Sequence, residues 1–174
     1  MKIGLIADTH GNLDGWRRAW EFLHDSDLIV HCGDLLYHGP RFDPAPDYNP
    51  RALAEVLNAC PVPLLITQGN ADSEVDALFV RAPIQAPYVF AQVEGQRLLA
   101  THGHRVPLDK TLEQAQQWGV DLVVTAHLHV PCAARHGAVR AGEVAADQDA
   151  MRLGKLRVFP LFIWIDPALL FGWR

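Results

Sequence analysis

Residues 2–12 read Lys-Ile-Gly-Leu-Ile-Ala-Asp-Thr-His-Gly-Asn, a short apolar run that ends in a polar cluster. The run over residues 2–7 is β-leaning and too short for a helix, which predicts a buried strand that leads into a loop. Asn12 is a favourable helix N-cap, and apolar residues recur at spacings of three and four between Leu13 and Leu23. These spacings predict an amphipathic helix, so the stretch forms a β-α unit.

The same succession of strand and helix recurs further along the chain. Residues 28–30 and 64–67 are short apolar runs, and each leads into a polar turn that contains glycine. Pro50 opens a predicted helix over residues 51–59, because proline is favoured at the first helical position. A further short helix is predicted over residues 73–80.

The pattern changes in the second half of the chain. Residues 88–93 and 97–101 flank a short turn that contains glycine, which predicts an antiparallel hairpin. A helix is predicted to follow, with Asp109 as its N-cap and Gly119 at its end. Residues 120–125 are a further predicted strand.

Length and composition limit the class of protein. The 174 residues, of which 49% are hydrophobic and 20% charged, suit one globular domain of α/β layers over residues 1–174. A formal net charge of −5 disfavours an extended nucleic-acid groove, which relies on many Lys and Arg contacts to phosphate. No uncharged apolar run approaches the ~20 residues of a membrane helix, and the first apolar run is too short for a signal peptide. We therefore expect a cytoplasmic protein without a membrane span.

Residues of metal-binding type stand directly after five of the predicted strands. They are Asp8, His10, Asp34, Asn70, His102, His104, His127 and His129. In open α/β sheets the ligand crevice lies beyond the carboxyl ends of the strands, where these side chains would meet. Carboxylate, amide and imidazole donors without a thiolate suit Mn, Fe or Zn in an open site. Asp34 is the candidate carboxylate for bridging two ions.

Each of these residues also has a plain structural explanation. Asp34 can cap a turn, Gly69-Asn70 can be a turn dipeptide, and a lone histidine is more often a surface or core residue than a ligand. These explanations do not account for histidines that gather at strand ends together with carboxylates. The joint pattern therefore favours a metal site.

The succession of motifs resembles the calcineurin-like metallophosphoesterase family, and within it the small bacterial and archaeal phosphodiesterases. The matching motifs are Asp8-x-His10, Gly33-Asp34, Gly69-Asn70, His102 and His127-x-His129. The resemblance covers about residues 1–139. It implies an α/β fold in which two mixed β-sheets, flanked by helices, form a four-layer sandwich.

The resemblance also implies a centre of two divalent metal ions. The implied ligands are Asp8, His10 and His129 for the first ion, Asn70, His102 and His127 for the second, and Asp34 for both. It favours Mn²⁺, with Zn, Fe, Ni or Co as alternatives. The implied reaction is hydrolysis of a small phosphodiester by a hydroxide that bridges the two metals.

His38 and His104 are the predicted catalytic residues outside the ligand set, where they would hold the phosphate or orient the substrate. For His38, an ordinary loop histidine is an equal alternative. Many family members have a histidine directly after the Gly-Asn pair that helps to protonate the leaving group, and this chain has Ala71 there. We therefore expect substrates with good leaving groups to be favoured.

The tail over residues 140–174 departs from the family pattern. It lacks the family's Asn-Pro-Gly-Ser-like loop, and five of the chain's aromatic residues fall within residues 159–173. Residues 156–165 can still form a strand, which Pro160 would confine to a sheet edge. The alternative is a replaced C-terminus whose apolar surface makes the chain aggregate or assemble as a homo-oligomer.

These observations favour a metal-dependent phosphodiesterase. A non-catalytic scaffold is one alternative, because a related retromer subunit keeps the fold while its metal site has decayed. A phosphomonoesterase is the other, since it would use the same metals in a pocket of different shape. The complete ligand set in this chain favours an enzyme over a scaffold.

Overall fold

The computed structural model describes residues 1–38, 46–128, 132–144, 152–153, 156–159 and 162–165. The helical elements among them are α1 (Leu13–Leu23), α2 (Pro50–Asn58), the 3-10 turn Asp76–Leu78 and α3 (Leu108–Gln117). The strands are β1 (Ile3–Ile6), β2 (Leu28–His31), β3 (Leu64–Thr67), β4 (Ile84–Gln85), β5 (Val89–Val93), β6 (Gln96–Ala100), β7 (Leu122–Thr125), β8 (Cys132–His136), β9 (Val139–Glu143), β10 (Arg152–Leu153), β11 (Leu156–Phe159) and β12 (Phe162–Ile165).

The strands form two mixed sheets. The first sheet has seven strands in the order β10-β11-β12-β1-β2-β3-β4, parallel from β1 to β4 and antiparallel from β10 to β1. The second sheet has five strands in the order β5-β6-β7-β9-β8, in which β6, β7 and β9 are parallel. The predicted hairpin is confirmed as β5 and β6, which pair antiparallel across a short turn.

The alternation of side chains along the strands builds the layers between these sheets and the helices. On β1, Leu5 lies in a buried cluster with Val89 and Val124 of the second sheet, whereas Ile6 packs in another cluster with Trp16 of α1. A third cluster joins the second sheet to α3. Because successive side chains of a strand point to opposite faces, one strand serves two layers. The layers run α1 and α2, first sheet, second sheet, α3, which confirms the predicted four-layer α/β sandwich.

The structure confirms the predicted start of one helix and corrects that of another. Helix α1 begins as predicted, because the Asn12 Oδ1 atom accepts a hydrogen bond from the Gly15 N–H at 2.5 Å. The prediction that Asp109 caps α3 is wrong. The N-cap is Pro107, and Asp109 lies in the first turn, where its negative charge interacts favourably with the positive end of the helix dipole. Of the helix predicted over residues 73–80, only the 3-10 turn forms.

The tail completes the first sheet, so the prediction of one edge strand over residues 156–165 is wrong. The segment forms two strands, β11 and β12, which pair with each other. Strand β12 also pairs antiparallel with β1, with Ile165 opposite Ile3 and Phe162 opposite Ile6. The tail therefore reaches an interior position in the sheet. Among the described helices, none has the length and apolar character that crossing a membrane requires.

Candidate metal centre

The candidate site lies where several strands of the two sheets end. The loops after β1, β2 and β3 of the first sheet carry Asp8, Asp34 and Asn70, and those after β6 and β7 of the second carry His102 and His127. Because these parallel strands run in one direction within each sheet, their carboxyl ends meet at one edge of the sandwich. The side chains that the sequence places far apart therefore share one site.

Two carboxylates and two imidazoles stand close together at the centre of this site. The Asp34 Oδ2 atom lies 3.6 Å from His10 Nε2 and 3.5 Å from His102 Nε2, and the Asp8 Oδ1 atom lies 3.9 Å from His10 Nε2. One donor atom each from Asp8, Asp34 and His102 falls within 4.8 Å of the other two. Asp34 thus stands between two histidines, which is the position a shared ligand needs.

The second half of the predicted set gathers around His102. The His102 Nε2 atom lies 3.0 Å from Asn70 Oδ1, and the centroids of the His102 and His127 rings are 5.1 Å apart. Six predicted ligands are therefore brought together: Asp8, His10, Asp34, Asn70, His102 and His127. The seventh, His129, lies outside the residues that the structure describes.

Backbone carbonyls orient two of the histidines. The Nδ1 atom of His10 lies 2.8 Å from the Tyr37 carbonyl oxygen, and that of His102 lies 2.7 Å from the Cys32 carbonyl oxygen. A carbonyl can only accept a hydrogen bond, so Nδ1 carries the proton in both rings. With the proton on Nδ1, Nε2 is the ring atom through which each histidine would bind a metal ion. This donor set fits divalent metals that prefer oxygen and nitrogen.

The backbone around the candidate ligands is strained. Five non-glycine residues in the described part of the chain have positive φ, and four of them are candidate ligands: Asp8 (54°), His10 (43°), Asp34 (55°) and His127 (82°). The left-handed region is unfavourable for residues with a Cβ atom, and such strain is typical of functional sites. The surrounding hydrogen bonds and close contacts must therefore hold these residues in place.

Asp72 supplies much of that support, and sequence reasoning missed it. Its buried carboxylate accepts hydrogen bonds from three backbone N–H groups: those of Asp34 (2.8 Å), Leu35 (2.7 Å) and Gly69 (2.7 Å). It thereby joins the loop after β2 to the loop after β3. Burial raises the pKa of Asp72 to about 6, against the opposing effect of hydrogen bonds from Gly69 and Leu35. The only sequence signal was an aspartate two positions after Asn70, which reads as ordinary turn chemistry.

Two glycines allow these loops to touch. A Cβ atom on Gly69 would overlap the Asp34 backbone nitrogen and Oδ1 atom, and one on Gly33 would lie 2.6 Å from the Gly69 nitrogen. Gly33 also has a φ of +94°, which glycine adopts without steric cost. The Ala71 N–H donates to Asp34 Oδ1 at 2.8 Å across the same contact. The two loops therefore close on Asp34 from one side.

His104 and His38, the two histidines predicted outside the ligand set, lie in different surroundings. The His104 ring centroid is 5.2 Å from that of His102, and burial, with His102 and Arg105 nearby, lowers the pKa of His104 to about 4. The His38 ring packs edge-on against Tyr48, with centroids 4.8 Å apart, and also contacts the ring of Tyr37. The structure thus places His104 beside a candidate ligand and His38 in an aromatic cluster.

The loop after β1 is anchored through His31. The fully buried His31 ring accepts a hydrogen bond at Nδ1 from the Gly33 N–H (3.2 Å), so its Nε2–H donates to Thr9 Oγ1 (3.0 Å). The Thr9 hydroxyl then donates to the Leu35 carbonyl at 2.9 Å. Burial lowers the pKa of His31 to about 3. Its ring is therefore a neutral structural link between the loops after β1 and β2.

The two-sheet sandwich and the donors at its edge together define a calcineurin-like phosphoesterase. The sequence profile of the calcineurin-like phosphoesterase superfamily domain matches residues 1–154, and the chain belongs to this superfamily. The match extends beyond residue 139, where we expected the resemblance to end, and so includes part of the tail.

Individual relatives agree with this assignment. Phosphodiesterase YfcE of Escherichia coli strain K12 is 36% identical over 141 residues, which cover 80% of this chain and 75% of YfcE. A solved structure of YfcE superposes with a TM-score of 0.71 at 31% identity, over 82% of this chain and 78% of that one. A phosphodiesterase of Methanocaldococcus jannaschii is 29% identical over 140 residues, covering 74% of each chain.

Proposed function

We propose that this chain hydrolyses small phosphodiesters and depends on two divalent metal ions for the reaction. The observation that carries the proposal is the convergence of Asp8, His10, Asp34 and His102, with both imidazole Nε2 atoms within 3.6 Å of one Asp34 oxygen. The names of its relatives, YfcE and the archaeal enzyme, support a diester as the substrate. The net charge of −5 disfavours an extended basic groove, which favours a small substrate.

The donors also bear on which metals would bind. The proposed ligands are Asp8, His10 and His129 for one ion, Asn70, His102 and His127 for the other, and Asp34 for both. Oxygen and nitrogen donors without a thiolate suit Mn²⁺, which the family resemblance favours, and also Zn, Fe, Ni or Co. Divalent ions held at such a site lower the pKa of a water molecule and stabilise charge on phosphoryl oxygens.

The chain's own residues prepare the site for this chemistry. Asp72 accepts a hydrogen bond from the Asp34 backbone N–H, and the Ala71 N–H donates to the Asp34 carboxylate, so this ligand does not have to reorganise during the reaction. The Tyr37 and Cys32 carbonyls accept hydrogen bonds from the Nδ1–H groups of His10 and His102, respectively. Nε2 is therefore the atom through which each ring would bind a metal ion. Ala71 offers no proton to a leaving group. Esters with acidic leaving groups are therefore the preferred substrates.

Hydrolysis assays on protein reconstituted with Mn²⁺ test the proposal against its alternatives. We expect turnover of bis(p-nitrophenyl) phosphate to exceed that of p-nitrophenyl phosphate, and chelation by EDTA to abolish both. Faster turnover of the monoester would favour a phosphomonoesterase. Hydrolysis of neither ester would leave the non-catalytic scaffold as the better explanation.

An Asp34→Asn variant tests the shared ligand. We expect kcat/KM for the diester to fall by more than about 100-fold, because a neutral amide stabilises a cation less than a carboxylate does. Bound Mn²⁺, measured by elemental analysis, should fall below that of the wild type. Asp109→Asn is the matched control, since Asp109 is exposed on α3. A fully active Asp34→Asn protein would refute the shared-ligand role.

A further inference from the structure

Arg105 lies beside the candidate site, and its guanidinium is held from two sides. Its Nε–H donates to His104 Nε2 at 3.1 Å, and its Nη2 atom donates to Gln68 Oε1 at 3.0 Å. Gln68 belongs to the loop that carries Asn70, and His104 belongs to the loop that carries His102. A cation on a flexible side chain is thus fixed between two loops of the site.

The charge of Arg105 is not neutralised by a carboxylate within the described part of the chain. Its two hydrogen-bond partners are the Gln68 side-chain amide and the His104 imidazole, and Arg105 forms no ion pair within the described residues. By contrast, Arg18 pairs with Asp14 at 3.0 Å, and Arg51 with Glu55 at 3.7 Å. A guanidinium has five N–H donors, of which the two hydrogen bonds use two. Among the residues that the structure describes, none takes up the other three donors, and the two hydrogen bonds fix their geometry.

Arg105 is more exposed than the candidate ligands that would hold the reacting phosphate. Asp34 and His102 are 3% and 0% exposed, whereas Arg105 is exposed. The His104 ring contacts both the Arg105 guanidinium and the His102 ring, and Arg105 is exposed, so Arg105 lies at the rim of the site rather than among its buried donors. A diester held by the buried donors would extend one of its ester arms towards this rim.

We propose that Arg105, positioned by Gln68 and His104, binds a second phosphate group carried on an ester arm of the substrate. A phosphate accepts two parallel hydrogen bonds from a guanidinium, which matches the donors that remain on Arg105. The inference rests on the proposed phosphodiesterase function and narrows its substrate class to diesters that bear a further phosphate. Simple diesters are then substrates without this extra contact.

Two substrates with the same reacting group test the inference. Thymidine 5′-(p-nitrophenyl phosphate) has one phosphate, and its 3′-phosphorylated derivative differs only by the second. We expect the Mn²⁺-loaded wild type to prefer the derivative by more than about tenfold in kcat/KM. In Arg105→Gln the ratio of the two kcat/KM values should fall to about one, whereas Arg51→Gln should keep the wild-type ratio. A wild-type ratio near one, or an unchanged ratio in Arg105→Gln, would overturn the inference.

Binding of reaction products distinguishes failure of this inference from failure of the proposed function. Isothermal titration with thymidine 3′,5′-bisphosphate and thymidine 5′-phosphate reports the same contact without turnover. If the wild type hydrolyses neither ester but binds the bisphosphate more tightly through Arg105, the phosphodiesterase proposal fails and the phosphate contact stands. If the wild type hydrolyses both esters and Arg105→Gln changes neither the ratio of the two kcat/KM values nor the ratio of the two product affinities, the phosphate contact fails and the function stands. Equal melting temperatures of the variants exclude misfolding as the cause of a loss.

Discussion

At the scale of single residues, a buried carboxylate holds another in a strained conformation. Asp34 has a φ of 55°, and the Asp72 carboxylate binds its N–H together with those of Leu35 and Gly69. Hydrogen bonds to a charged acceptor are stronger than those between neutral groups, so three of them can offset the strain of one left-handed residue. Asp72 therefore positions Asp34 without being one of the proposed ligands.

Replacing Asp72 tests this role. Asp72→Asn places an NH2 group against at least one backbone N–H, so we expect the free energy of unfolding to fall by roughly 2–5 kcal/mol. Affinity for Mn²⁺ should weaken by about 10–100-fold, as for other groups that orient metal ligands. Urea denaturation and isothermal titration measure the two effects. Glu74→Gln, exposed on the same loop, is the control, and wild-type Mn²⁺ affinity in Asp72→Asn would contradict the role.

His31 makes the stability of the fold depend on pH. Burial lowers its pKa from 6.5 to about 3, so the unfolded chain binds a proton that the folded protein excludes between these values. The free energy of unfolding should therefore decrease as pH falls from 6.5 towards 3, by up to about 1.4 kcal/mol per pH unit.

Urea unfolding in EDTA at several pH values between 7.5 and 4.5 measures this dependence. His31→Gln should be less stable at pH 7.5, because it loses the acceptor for the Gly33 N–H. Its unfolding free energy should also change less with pH. His24→Gln, on the exposed end of α1, should keep the wild-type dependence. An equally steep dependence in His31→Gln would show that other groups cause it.

At the scale of elements, contacts between the loops at the strand ends position the candidate ligands. The loops after β2 and β3 touch at Gly33 and Gly69, where any side chain would strike the neighbouring backbone. The hairpin turn between β5 and β6 provides a contrast. There Gly95 has a φ of +79°, but a Cβ atom would meet nothing within 4 Å. At Gly33 a positive φ and close contacts occur together, whereas at Gly95 the positive φ occurs without any close contact.

This contrast predicts different results for two alanine substitutions. Gly69→Ala should displace Asp34 and weaken Mn²⁺ affinity, with a loss of unfolding free energy of about 1–3 kcal/mol from overpacking. Gly95→Ala should cost about 1 kcal/mol through its positive φ and leave Mn²⁺ affinity unchanged. Calorimetric titration and thermal denaturation of both variants measure these effects. Equal Mn²⁺ affinities in the two variants would argue against a tight contact between the loops at Asp34.

At the scale of the whole molecule, the first sheet depends on residues from both ends of the chain. Strand β12 pairs with β1 along four residues, from Ile165 opposite Ile3 to Phe162 opposite Ile6. Strand β1 also carries Leu5 and Ile6, which belong to the apolar layers on its two faces. The C-terminal strands therefore cover a strand at the centre of the fold, whose unpaired edge would otherwise be exposed.

Deleting residues 152–174 should reveal this dependence. With β10, β11 and β12 removed, the edge of β1 is a template for pairing between molecules, so we expect aggregation and a lower melting temperature. Sedimentation velocity and thermal denaturation measure the two outcomes. Deleting only residues 166–174 removes none of the described strands and is the matched control. A monomeric deletion protein of wild-type stability would contradict the proposed contribution of β12.

Much of the fold and of the site follows from local patterns in the sequence. The bounds of β3 and the N-cap of α1 were predicted correctly, because apolar periodicity and capping act within a few residues. Six of the seven predicted ligands come together for a similar reason: each lies in the loop that follows a strand, and parallel strands present their carboxyl ends to one edge. The cap of α3 was predicted wrongly because Pro107 starts the helix without a side-chain hydrogen bond.

Contacts between segments that are distant in sequence required the tertiary structure. Asp72 reads as a turn residue, and its role exists only because the loop after β2 brings Asp34 and Leu35 to its carboxylate. The place of β12 beside β1 likewise depends on a pairing between the two ends of the chain. Arg105 becomes a fixed cation only when Gln68 approaches it from another loop. The sequence by itself determined helices α1 to α3, strands β1, β2, β3 and β7, the β5–β6 hairpin and the candidate donor residues, since local periodicity and turn chemistry specify them. Only the tertiary structure decided which distant groups hold those donors in place, because contacts such as those of Asp72, Arg105 and β12 depend on how the sheets and loops pack.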